Sequence, residues 1–416
     1  GIYMNNKEIL LQKFANLIVK SGINVKQDQI VLIKAPIASV ELVRHLVKEA
    51  YLNGALKVMI DWSDDETSKN EYEFAPVKGL TIIPGGVIER MHYLVDQNAA
   101  LISITSPNPG LMKDLDPAKI QAVQRVYSKA TTFFKEYTMS NKGQWCVVAY
   151  PNPSWAKRVF PDLPVAEAEK ALLEAILKAS HVTLDNDPVK EWEKLNKDME
   201  ERNKKLNDLN FVSLHFKNSI GTDLEVGLVE NHIWAGGAEI AANNQVFNPN
   251  IPTEENFCMP HNKKTNGKVV ATKPLNYQGK LIDEFYLEFK DGKVVNYHAK
   301  KENEALQSLV NFDEGSCRLG EVALIPYDSP INKMNILFYN TLFDENASCH
   351  LALGASYTTT NLKGAENMTE EELEQNGSNS SMTHVDFMFG SRDMEVIGTT
   401  HSGEKVKIIE NGNFII

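Results

Sequence analysis

Five side chains able to bind a metal or move a proton fall in one stretch, Phe343 to Asp386: Glu345, His350, Tyr357, His384 and Asp386. His384 and Asp386 are two apart, so on a strand both face one side while Val385 faces the other. Such a pair next to the apolar run Phe387–Met388–Phe389 is costly to bury without compensation. A bound cation compensates, and so does a plain His–Asp hydrogen bond at a sheet edge; the pair alone leaves both readings open.

Two further stretches place acids in apolar surroundings. In RLGEVALIPY, Glu321 is the one acid of a run that otherwise reads as buried strand, a position rarely tolerated without a cation or an arginine. In NIPTEENFCMPH, Pro252 and Pro260 bracket a non-helical path that carries Glu254, Glu255 and His261. Of the adjacent glutamates, one is expected to turn inward and the other to solvent. Several carboxylates with at least two imidazoles suit zinc, cobalt or manganese, and the excess of carboxylates suits two divalent ions better than one. Two such ions can activate a water and polarise a carbonyl. HEXXH is absent, which excludes the helix-borne zinc proteases of that type.

The elements that must position these groups divide at about residue 208. In residues 1–208, strands alternate with helices. Lys7 to Ser21 has helical periodicity, and QIVLIKA, ALKVMID, AALISI and QWCVVAY read as buried strands. Ser39 is placed to cap a helix running to about Asn53, and Asp116-Pro117 to open one reaching Tyr137. This is an α/β domain with a mostly parallel sheet. It has neither GxGxxG nor a Walker loop, so nucleotide binding has little support. Residues 166–210 read as helix with a strongly charged, solvated face near the boundary. Residues 209–416 read as α+β with largely antiparallel sheet, on the evidence of hairpins around Asn218–Gly221 and Asp291-Gly292. Thr369 and Glu372 form a capping box in the loop that leads into His384, and that loop reads either as a wall of the site, a subunit contact or a solvated surface helix.

Five blocks in order, PTEENFCMPH, NGKVVATKPLNYQG, GSCRLGEVALIP, NTLFDENASCHLALG and THVDFMFG, resemble the metallo-aminopeptidase family of aminopeptidase T, aminopeptidase S and PepS. The resemblance covers roughly residues 250–390. It implies metal ligands at Glu255, Glu321, His350, His384 and Asp386, with Glu321 bridging two ions and Glu345 a further candidate. It also implies that Tyr357 stands beside the metals. The mechanism expected from these groups gives catalytic roles to Glu321 and Tyr357: a carboxylate not fully committed to metal, Glu321 or Glu254, moves the proton, and Tyr357 donates to the developing oxyanion. The activity implied is removal of N-terminal residues from short peptides with a free amino terminus, by a cytoplasmic homodimer.

Bulk properties agree with that class. The 416 residues carry a net charge of −12 and show no basic stripe, which argues against nucleic acid. No apolar run is long enough to span a bilayer. The start, GIYMNNKEILLQKF, lacks the marks of a secretory signal, and four scattered cysteines fit reduced thiols. Two rivals stand: a peptide- or metal-binding protein of two domains without hydrolase activity, and a metal-dependent hydrolase of another acyl or phosphoryl substrate. Few cations lie within the blocks (Lys273 and Arg318 are the exceptions), which counts against phosphate esters.

Overall fold

In the computed structural model, residues 2–416 are described, with side chains from Asn6 onward. The chain forms two units. The first comprises residues up to Lys194 together with Ala238–Pro252, and the second Leu195–Gly237 with Thr253–Ile416. The units are therefore not two contiguous halves: the helix Pro188–Leu209 contributes to both, and one later segment returns to the first.

The first unit is built on a parallel sheet ordered Lys57–Ser63, Ile30–Pro36, Ala100–Thr105, Trp145–Ala149. Ile30, Val31, Leu32 and Ile33 are almost fully buried, as expected of a strand covered on both faces. Helices found beyond the expected ones are Asp65–Phe74, Val77–Leu80 and Pro153–Val159. Asp116 caps its helix as expected, its carboxylate accepting from the Ala118 amide at 3.0 Å. That helix ends at Ala130, and a second runs Thr132–Met139. Ser39 does not cap: its hydroxyl donates to the Pro36 carbonyl at 2.7 Å, a local bond that competes with the helix end. Residues 166–210 form two helices, Val165–Ala179 and Pro188–Leu209. The second is not simply a solvated face, because Trp192, Met199 and Leu206, seven residues apart, are buried.

The second unit contains a nine-stranded and a four-stranded sheet, with every named pairing antiparallel. Both expected hairpins form, Ser213–Lys217 with Asp223–Leu228 and Lys280–Lys290 with Lys293–Lys301. At the turn of the latter, Asp291 and Gly292 have φ of 49° and 84°, the two left-handed residues a type I′ turn requires. The architecture is thus an α/β unit with a parallel sheet and an α+β unit with antiparallel sheets. Among the described residues, no helix is long and apolar enough to cross a membrane.

Candidate metal centre

The four-stranded sheet, ordered His384–Met388, His350–Gly354, Leu319–Leu324, Asn256–Cys258, carries most of the candidate ligands. Its register aligns Glu321 with Ala352 and Ala352 with Asp386 in one row across three strands. Ala323 pairs with both His350 and Phe257 in the next row. Directly opposed residues share a face, and so do residues two apart. Glu255, Glu321, His350, His384 and Asp386 therefore all project from one face, with the small Ala323 and Ala352 between them. The other face carries Cys258, Val322, Leu324, Leu351, Leu353 and Phe387, which join the main hydrophobic core of this unit. Alternation fixes this arrangement: a register slip of one residue would send every acid into that core.

The donors converge. His350 Nε2 lies 2.9 Å from Glu321 Oε2, 3.3 Å from Glu255 Oε2 and 3.8 Å from Asp386 Oδ1. His384 Nε2 lies 3.4 Å from Asp386 Oδ1. His384 Nδ1 donates to the Ala355 carbonyl at 2.7 Å, which fixes the tautomer and leaves the Nε2 lone pair facing the acids. Glu345, just past the short helix Thr341–Asp344, joins the same group. Three overlapping triads have donor atoms within 4.8 Å of one another: Glu255, Glu321 and His350; Glu321, His384 and Asp386; Glu345, His350 and Asp386.

Electrostatics reflect the crowding. Burial, then the charges of Asp386 and Glu255, push the Glu321 carboxyl up to about 7, although its bond to His350 opposes this. Burial and the charges of Glu255 and Asp386 raise Glu345 well above the usual range. Burial would lower His384, but its bond to Asp386 and that residue's charge outweigh this and raise it to about 9. Burial also opposes charge on His350, and bonds to Glu255 and Glu321 override it upward. Asp386 goes the other way: despite burial, the His384 bond and the charge of His350 hold it low. In this state the acids and imidazoles share protons where a cation would serve.

Four buried atoms here, Glu255 Oε2, His350 Nδ1, His384 Nε2 and Asp386 Oδ1, lack a hydrogen bond of good geometry, the approaches of His350 to Glu255 and of His384 to Asp386 being long ion-pair contacts. Each such orphan costs about 1–3 kcal/mol. Three of them are at the convergence point of the acids and imidazoles, and the donor set, oxygen with imidazole nitrogen, fits a divalent ion. Tyr357 stands at the rim, 45 % exposed, its ring 4.5 Å from that of His384. Partial burial and the four carboxylates hold its phenol strongly in the protonated form.

The structure corrects one expectation and adds residues. Glu254 and Glu255 do not divide into one inward and one solvated. Both are largely buried, since Glu254 is only 9 % exposed and faces the charge of Arg202. Arg202, from the charged helix, also donates to Asn256 Oδ1 at 3.2 Å. Asn346 accepts from the Glu254 amide at 2.9 Å and so braces the backbone that carries Glu255. Glu254 and His261 lie outside the three triads. His261 packs instead against Gly377, whose φ of 97° disfavours a side chain and where an added Cβ would stand 2.5 Å from the imidazole. The capping box forms, with Thr369 Oγ1 accepting from the Glu372 amide at 3.1 Å. Leu373 of that helix packs on Val229, Met259, Leu362 and Ala365, so the loop is anchored rather than free. The heptad of Trp192, Met199 and Leu206 was the one sequence signal for the role of Arg202; Asn346 had none.

A solved structure, wild-type AmpT from Thermus thermophilus, superposes with a TM-score of 0.87 at 37 % identity, covering 98 % of this chain and 99 % of that one. Aminopeptidase AmpS of Bacillus subtilis is 42 % identical over 97 % of this chain and 98 % of its own length. Aminopeptidase 2 of Geobacillus stearothermophilus is 41 % identical over 99 % of each. With the profile of that family matching residues 7–414, the chain belongs to the thermophilic metalloprotease (M29) family.

Proposed function

We propose that this chain is a dinuclear metallo-aminopeptidase that releases N-terminal residues from short peptides with a free amino terminus. The observation that carries the reading is the convergence of four carboxylates and two imidazoles on one sheet face, with unpartnered donor atoms among them. Near-full-length relatives named aminopeptidases support the substrate class. Charge supports two ions: Glu255, Glu321, Glu345 and Asp386 sum to −4 when ionised, which two divalent cations balance. Overlap supports it too. Glu321, His350 and Asp386 each belong to two of the three triads, and of these the two carboxylates have a second oxygen to offer.

Zinc, cobalt or manganese held by Glu255, Glu321, Glu345, His350, His384 and Asp386 would acidify a water and polarise the scissile carbonyl. Glu321, the acid at the centre of the cluster, takes the proton of the attacking water and returns it to the departing amine. Glu254 is less suited to that role, because it faces Arg202 and lies outside the triads. Tyr357 keeps its proton and donates a hydrogen bond to the oxygen that gains negative charge. Cytoplasmic location and a homodimer complete the reading.

The test is hydrolysis of aminoacyl-p-nitroanilides and their N-acetylated controls by EDTA-stripped protein, before and after zinc, cobalt or manganese is returned. Activity restored by metal and confined to free amino termini is expected. Stoichiometric metal binding without hydrolysis would instead favour a binding protein, and cleavage of the acetylated controls a hydrolase of broader type.

A further inference from the structure

The parallel sheet of the first unit carries a charged row that the metal chemistry does not use. Lys34, on its buried central strand, lies directly beside Asp61 on one neighbour and Ser103 on the other. Towards the strand amino ends, the face is sealed by a dry cluster of Ile30, Leu32, Met91, Leu94, Leu101, Phe134 and Tyr137. Towards the carboxyl ends it opens into a cavity of about 670 Å³ lined by Lys34, Asp61 and Ser103. Its walls include Tyr127, which is 47 % exposed, and the ring of Phe134.

The charges there do not cancel. Asp61 is engaged by Arg90, which also lines the cavity. Lys34 makes no hydrogen bond or ion pair among the described residues; its ammonium lies 4.9 Å from the centroid of Phe134. Lys34, Arg90 and Asp61 together leave one net positive charge. Burial disfavours that charge on Lys34, only partly relieved by Asp61. A lysine kept on a central strand purely for structure would be expected to have Asp61 to itself. The crevice beyond the strand carboxyl ends is also where open parallel sheets take ligands. One net positive charge, a neighbouring hydroxyl and aromatic walls match a monoanion with an apolar body; a phosphate dianion would find too little charge and no glycine-rich loop.

We propose that this cavity binds the α-carboxylate of an amino acid or peptide with an apolar side chain, the carboxylate on Lys34 and Ser103 and the side chain against Tyr127 and Phe134. The site does not depend on the metal reading, because none of its residues is a candidate metal ligand. The carboxylate has two sources, a free amino acid or a peptide carboxyl terminus.

Calorimetric titration of the metal-loaded full chain with N-acetyl-leucine, N-acetyl-leucinamide, free leucine, N-acetyl-alanyl-leucine and inorganic phosphate tests it. Saturable binding of N-acetyl-leucine is expected, with none of the amide or of phosphate. Lys34→Met should weaken it at least about tenfold, as loss of a hydrogen bond to a charged group does, and Lys34→Arg should largely restore it. Tyr127→Ala, at a half-exposed position of the cavity wall, should weaken it as well while leaving aminoacyl-p-nitroanilide hydrolysis unchanged. Tighter binding of the acetylated dipeptide would assign the site to peptide tails, and tighter binding of free leucine to a released amino acid. Absence of saturable carboxylate binding, equal binding of acid and amide, or an unchanged affinity in both Lys34→Met and Tyr127→Ala would overturn the proposal.

Discussion

At the scale of single residues, the separate duties of Glu321 and Tyr357 predict different kinetic signatures. Glu321→Gln keeps the shape but removes a charge from two triads at once. Both metal content and kcat should fall, kcat by about 10²-fold or more, since metal retention and proton transfer are lost together. Metal analysis beside steady-state kinetics checks this, and a fully metallated, fully active Gln variant would remove Glu321 from both roles. Tyr357→Phe removes one hydroxyl at the exposed rim without touching a donor of the triads. Metal content should stay and KM should move little, while kcat drops by about 10²-fold, the usual loss for one oxyanion donor. An unchanged kcat would leave Tyr357 as packing for the His384 ring.

At the scale of elements, the sheet works because small residues alternate with ligands on one face. Ala352 lies between Glu321 and Asp386 in the register. Ala352→Val suits a strand by propensity but puts two methyl groups where the donors converge. Overpacking should cost about 1–3 kcal/mol of stability. Metal stoichiometry should fall further than that cost implies, and a folded variant with the full metal complement would contradict the proposed use of this face. The same alternation made most of the site legible in the sequence: HVDFM and RLGEVAL already say which side chains share a face, and the order of the five blocks says which strands belong together. What could not be read was set by distant docking. The charged helix looked solvated because its buried positions, Met199 and Leu206, are sparse among Lys and Glu, yet it brings Arg202 to Glu254 and so buries a glutamate expected in solvent. Asn346 braces Glu254 across 92 residues of chain, which no local pattern encodes. The lone Lys34 in QIVLIKA was visible but meaningless until its neighbours in the sheet were known.

At the scale of the whole molecule, the site couples metal, protons and stability. Without ions, His384 titrates near 9 against 6.5 in an unperturbed chain, so it stabilises the fold below about 6.5 and loses that contribution as pH rises through 9. Glu321 titrates near 7 against 4.5, so burying it is tolerated while it is protonated, and stability falls as pH rises from 4.5 through 7. Both groups make the metal-free protein weaker in alkali. Ions act oppositely, because they displace those protons and bind the deprotonated ligands. Affinity should therefore rise with pH, and so should the stabilisation that ions confer, about 2.7 kcal/mol when free metal is a hundredfold above Kd. Thermal unfolding with EDTA and with zinc, at pH 6 and pH 8.5, reads this directly. The gap between the two melting temperatures should widen at pH 8.5, with protons released to a weak buffer when metal is added. A gap that stays constant or narrows, without proton release, would mean that the ions do not take the place of the protons now held among Glu321, His350 and His384.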